Sequence, residues 1–130
     1  EKPQPTVRFS YSIGRENKST SNGWVDLQPV NNIVGPELSF ARKVTQHIDV
    51  PIAIIKCAAG GTHLGGDWNP DKPSGFKMYP RSLALIRSSL AAFDKQQIPY
   101  RIEGVMWHQG ENDMFEENYM KHYGATWPIC

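Results

Sequence analysis

An α/β fold with helices on both faces of a parallel sheet, a three-layer sandwich, is predicted by three observations. Strand and helix signals alternate along the chain in the order strand, helix, strand, helix, strand, helix. The run at 52–57 is almost continuously apolar and β-branched, as a strand buried on both faces must be. Two segments carry apolar residues at the 3.6-residue helical period.

Taken in order, Val7, Phe9, Tyr11 and Ile13 alternate with polar neighbours and predict a half-buried strand at 6–12. About twenty residues of loop follow. Gly35-Pro36-Glu37 reads as a helix start, with Pro where its missing N–H costs nothing and Glu at the positive end of the helix dipole. Leu38, Ala41, Val44 or Thr45, and Ile48 continue the stripe, and Val50-Pro51 ends it, giving a helix at 36–48. Pro51 opens the strand at 52–57, after which Ala58-Ala59-Gly60-Gly61-Thr62-His63 is a turn of small residues leading into a Gly, Pro and Asp rich loop. Pro80 starts a second helix with Leu83, Ile86, Leu90 and Phe93 on its buried stripe and Arg81, Arg87, Ser88 and Lys95 on its far face. A third strand is expected at 100–108 around Ile102, Val105, Met106 and Trp107. Asp113 and Glu116 have capping-box spacing before a last helix, where Phe115 and Tyr119 form an apolar pair.

The composition narrows the function classes. With 130 residues, 39% hydrophobic and 21% charged, the chain is one globular domain, and eleven glycines with ten prolines exclude a coiled coil. A net charge of +1 with no basic block gives no electrostatic footprint for nucleic acid or an anionic membrane. No apolar run is long enough for a membrane span, and the opening Glu1-Lys2-Pro3-Gln4-Pro5 carries no expectation of a signal peptide, leaving the localisation open. Cys57 closes an apolar run and is expected to be a buried thiol, while Cys130 stands far from it in sequence. Asn17-Lys18-Ser19 is a sequon.

In parallel sheets, ligands sit beyond the carboxyl ends of the strands, so the loops at 58–63 and 108–113 are the candidate site. Gly60 and Gly61 let backbone N–H groups approach a ligand, or simply form a tight turn with positive φ. Gln109 either donates its amide into the same space or ties down backbone. Glu111 is an acid or base, or a carboxylate bonded to backbone, and Asp113 reads better as a helix cap than as a catalyst. His63, His108, Glu111 and Asp113 lack metal-ligand spacing, so no metal is expected. Trp107 reads as core, and Trp68 in its polar loop as a contact surface.

Three stretches carry a resemblance: Gly35-Pro36-Glu37-Leu38-Ser39-Phe40-Ala41, Lys56-Cys57-Ala58-Ala59-Gly60-Gly61-Thr62 with Trp68 downstream, and Trp107-His108-Gln109-Gly110-Glu111-Asn112-Asp113. Together they resemble the SGNH-hydrolase superfamily, in its sialate O-acetylesterase-like branch with carbohydrate esterase family six. The resemblance implies a flavodoxin-like three-layer sandwich and a serine esterase that removes acetyl groups from carbohydrates without a cofactor. It implies oxyanion donors at Gly60, Gly61 and Gln109, supporting roles for His108, Glu111 and Asp113, and substrate contacts from Trp68, Thr62 and His63. The expected partner is an acetylated carbohydrate or other small acyl ester, and the family is often secreted or periplasmic.

The chain departs from the family pattern in two places. It contains no G-x-S-x-G, G-Q-S or G-D-S turn for a nucleophile, and no Asp followed three positions later by His. The expectation is therefore the central portion of an esterase domain, incomplete at both ends, with a noncatalytic carbohydrate-binding or scaffold module as the alternative.

Overall fold

A computed structural model describes residues 4–15 and 19–126. Its elements are β1 (Gln4–Ile13), β2 (Ser19–Thr20), β3 (Val25–Leu27), α1 (Pro36–Val44), β4 (Ile52–Ala58), α2 (Met78–Lys95), a 3₁₀ turn (Asp113–Phe115) and α3 (Glu117–Thr126). Asn17 and Lys18 of the sequon, and Cys130, lie outside the described residues.

The chain is α/β, but its sheet is mixed, which corrects the expectation of a parallel one. β4 runs parallel to β1 in continuous register from Val7 opposite Ile52 to Ile13 opposite Ala58. On its other side β1 pairs antiparallel with β3 and then β2. The short β2 and β3 lie in the stretch read from sequence as loop. Two- and three-residue strands carry no periodicity to detect, and β1 supplies the ladder that forms them.

Alternation along β1 divides the molecule. Val7 and Phe9 point to one face and are completely buried with Leu38 and Ala41 of α1, Leu27 of β3, and Val30. Burying a side chain of this size is worth about 1.5–3 kcal/mol, so this cluster is the main core. Ser10 and Ser12 point to the opposite face, toward α2, where Ser10 shares a 2.8 Å hydrogen bond with Ser89 and Ser12 accepts one of 2.8 Å from Arg81 Nε. The helices α1 and α2 therefore cover opposite faces of the sheet.

Several element expectations change. The helix read at 36–48 ends at Val44, because the N–H groups of Gln46 and His47 bond three residues back rather than four and the helix tightens into turns. In α2 the buried residues are Met78, Leu85 and Ser89, whereas Ile86 of the expected stripe is exposed. Arg81, assigned to the far face, reaches inward to Ser12 and donates a 2.6 Å bond to Gly14 O. A face that packs on serines buries polar partners, which an apolar period does not report. Cys57 is half-buried against a second cluster of Leu64, Trp68 and Met78.

No strand forms at 100–108. Ile102, Val105 and Met106 are exposed, and Gly104 interrupts the run. A short apolar segment becomes a strand only when a ladder partner is in register with it, and this one has none among the described residues. Its start is anchored by Tyr100, whose ring lies 5.9 Å from that of Phe93. Desolvation and the neighbouring Asp94 carboxylate push the Tyr100 phenol above its ordinary value.

The start of α1 is held by a buried ion pair rather than by the dipole alone. Glu37, in the first turn, accepts a 2.7 Å bond from Lys56 Nζ of β4. A Cβ on Gly35 would overlap both partners. Gly35→Ala is therefore expected to destabilise the chain by about 2 kcal/mol or more, because the pair must separate while Glu37 stays buried. Chemical denaturation checks this, and Ser39→Ala on the exposed side of α1 is the neutral comparison.

Candidate active site

The chain leaves the sheet at the carboxyl end of β4, where Gly14 N–H donates to Ala58 O at 2.8 Å and keeps the ends of β1 and β4 together. Gly61 follows with φ of +67°, a conformation that costs glycine nothing and an L side chain about 1–2 kcal/mol. Thr62 closes the turn through its hydroxyl, which donates to Ala59 O at 3.1 Å and accepts from Trp68 Nε1 at 3.0 Å. The carboxylate of Asp67 then accepts the N–H groups of His63, at 2.9 Å, and Phe76, at 2.7 Å, folding the glycine-rich loop back on itself.

The second loop meets the first through Asp113, which is 1% exposed. Both its oxygens accept the Leu64 N–H, at 2.9 and 3.1 Å. Gln109 Nε2 donates to Asp113 Oδ2 and, at 2.9 Å, to Thr62 O. Tyr123 of α3 donates to Gln109 O at 2.5 Å, and its hydroxyl stands 3.2 Å from Gln109 Oε1. Asn112 Nδ2 lies 2.7 Å from His63 Nε2, and the His63 ring rests on Tyr119 at 4.8 Å. Gly60, Gly61, Thr62, His63, Gln109 and Asp113 are thus gathered in one place.

Other site residues stand differently from their expectation. Trp68 is 9% exposed and packs edge-on to Trp107 at 5.0 Å inside the second cluster, so it is core and not a contact surface. Thr62 is buried, with its hydroxyl committed to the turn. His108 and Glu111 form an exposed pair, 3.2 Å apart with side chains 88% and 73% exposed, outside the cluster. Asp113 does not cap a helix with its side chain, because the Leu64 N–H, distant in sequence, takes the carboxylate instead. Phe115 is exposed, and Tyr119 packs on His63 rather than on Phe115. Among the described residues no group of three or more His, Cys, Asp or Glu is close enough to hold a metal ion.

Sequence reasoning missed Arg15, Asp67, Asn112 and Tyr123. For Tyr123 a signal existed, since Tyr119 and Tyr123 are one helical turn apart and share a face. The others act through loop contacts that have no period. Beside the cluster lies an open cleft of about 430 Å³ lined by His63, Asp67, Ser74, Glu116, Asn118 and Tyr119.

The family model of carbohydrate esterases described as sialic acid-specific acetylesterases matches residues 14–127. The chain belongs to this family. A probable carbohydrate esterase from Arabidopsis thaliana is 29% identical over 94 residues, which are 70% of this chain and 32% of that protein. The chain thus spans about a third of the length of the curated relative it matches. No solved structure matches it at a significant level.

The carboxylate bridge gives a direct test within this family member. Asp113→Ala leaves the Leu64 N–H and one Gln109 amide hydrogen without acceptors in a buried place, so stability is expected to fall by about 2–5 kcal/mol. Urea unfolding measures the loss, and Glu111→Ala at the exposed neighbouring carboxylate should stay within about 0.5 kcal/mol of the parent.

Proposed function

We propose that this chain forms the central portion of a carbohydrate O-acetylesterase domain of SGNH type, a three-layer sandwich in which the joined loops hold the developing oxyanion. The observation that carries this reading is the junction itself. Gln109 bonds directly to the carbonyl of Thr62, next to Gly60 and Gly61, in a chain that belongs to a carbohydrate esterase family. In ester hydrolysis the carbonyl oxygen gains negative charge in the tetrahedral state, and donors aimed there stabilise it more than they stabilise the substrate. Gly60 and Gly61 supply exposed backbone, and Gln109 supplies an amide that becomes a donor by exchanging Thr62 O for the oxyanion. The substrate is an acetylated carbohydrate or other small acyl ester, with His63 at the cleft making contact. His108 and Glu111 support the second loop from its exposed side.

The nucleophile and its base come from segments carrying a serine turn and an Asp-x-x-His pair. The serines near the strands are poor substitutes: Ser10 and Ser12 are buried and bonded to Ser89 and Arg81, and Ser39 donates to Pro36 O. Ser74 lines the cleft beside His63, whose Nε2 lies 2.7 Å from Asn112 Nδ2. That nitrogen is engaged by the Asn112 amide, and no hydrogen bond joins His63 to Ser74 among the described residues.

The 130-residue chain alone is expected to show no serine-reagent-sensitive turnover of p-nitrophenyl acetate, and to gain it when the missing segments are supplied fused or in trans. In the complemented enzyme Gln109→Ala should lower kcat by about 10²–10³-fold with little change in KM. A loss of stability with kcat intact would leave Gln109 as a brace between loops. Complemented protein that binds acetylated sugar but never turns it over would favour the noncatalytic module.

A further inference from the structure

The turn at Gly60 and Gly61 is held from outside by a residue that no part of the esterase reading uses. Arg15, just beyond β1, donates from Nε to Gly60 O at 2.6 Å and from Nη2 to Gly61 O at 2.5 Å. Its Cζ stands 4.7 Å from the centre of the Phe76 ring, within cation–π range, and the Phe76 N–H is fixed by Asp67. A Cβ on Gly61 would fall on the guanidinium, so the second glycine is what admits Arg15.

Holding two successive carbonyls has a geometric consequence. In a trans peptide the carbonyl of one residue and the N–H of the next point to opposite sides, and the described chain has no cis bonds. With the Gly60 and Gly61 carbonyls turned to Arg15, the N–H groups of Gly61 and Thr62 turn away from it. The Gly61 N–H, on an exposed residue, has no protein acceptor among the described residues, while the Thr62 N–H lies across the turn from Ala59 O. An exposed backbone donor whose direction is fixed from behind by one guanidinium is open to an incoming acceptor.

We propose that Arg15 is a positioning residue, clamping the carbonyls of Gly60 and Gly61 so that the Gly61 N–H forms the backbone part of the oxyanion site. The catalytic consequence rests on the esterase reading; the clamp itself does not. A guanidinium fork fits two carbonyls at once, whereas an ammonium is a point donor that secures one. Arg15 is exposed, and its removal leaves no buried group unpaired, so the fold should survive the change.

The test compares Arg15→Ala and Arg15→Lys in the full chain by amide NMR and in the complemented enzyme by kinetics. The Gly61 and Thr62 amide resonances should shift in Arg15→Ala, with melting temperature within a few degrees of the parent. The kcat on p-nitrophenyl acetate should fall about 10–10²-fold with KM within twofold, and Arg15→Lys should recover part of it. Unmoved amide resonances would overturn the clamp. Unchanged kcat in Arg15→Ala, against a parent that does turn over, would overturn its positioning role. If the complemented parent has no turnover, the esterase reading fails on its own, and the amide resonances still decide whether Arg15 orients the turn.

Discussion

A carboxylate with 1% of its surface in water must find its donors inside the protein, and Asp113 finds them on both candidate loops at once. It accepts the Leu64 N–H through two oxygens and a Gln109 amide hydrogen through one of them, while Gln109 reaches on to Thr62 O. Among the described residues the two loops are thus closed by one carboxylate held by neutral donors. Such an arrangement tolerates little displacement, because any donor that withdraws leaves a buried charge less compensated. The position of Gly60 and Gly61 relative to Gln109 follows from it, and so does the docking of α3, whose Tyr123 bonds both the carbonyl and the amide oxygen of Gln109.

The sheet under these loops is unlike on its two faces. Against α1 it buries Val7 and Phe9 in an apolar core of the ordinary kind. Against α2 it presents Ser10 and Ser12, so the helix answers with Ser89 and Arg81, and Trp24 closes the seam by donating to Ser89 O at 2.9 Å and stacking on Phe93 at 4.4 Å. Hydrogen bonds are directional where apolar contacts are not, so this face fixes the register of α2 on the sheet more sharply than its smaller apolar burial would. Arg81 also holds Gly14 O, one residue before Arg15, which ties the placement of α2 to the segment that clamps the glycine turn.

The proposed esterase reading joins the family to which the chain belongs with the geometry of the junction. Carbohydrate esterase chemistry needs donors that are already oriented before charge develops, since reorganising them during the reaction would consume the stabilisation they provide. On the proposed reading the orienting groups are Arg15 behind the turn and Asp113 behind the second loop, each bonded to backbone or amide groups.

What the sequence by itself determined is what depends on near neighbours in the chain. Alternation at Val7, Phe9, Tyr11 and Ile13 and the unbroken run after Pro51 were enough for β1 and β4, and Pro36 was enough for the start of α1, because strand faces and helix starts are local properties. The motif residues at 58–63 and 107–113 were legible as loops that converge. Tertiary structure alone decided the rest: that the sheet is mixed, that 100–108 does not join it, that Arg81 turns inward, that Trp68 is core, and that Asp113 serves Leu64 instead of a helix end. In each of these the partner lies far away in sequence. A polar or aromatic side chain takes whichever distant donor, acceptor or ring the packing brings within reach, and local spacing carries no record of that choice.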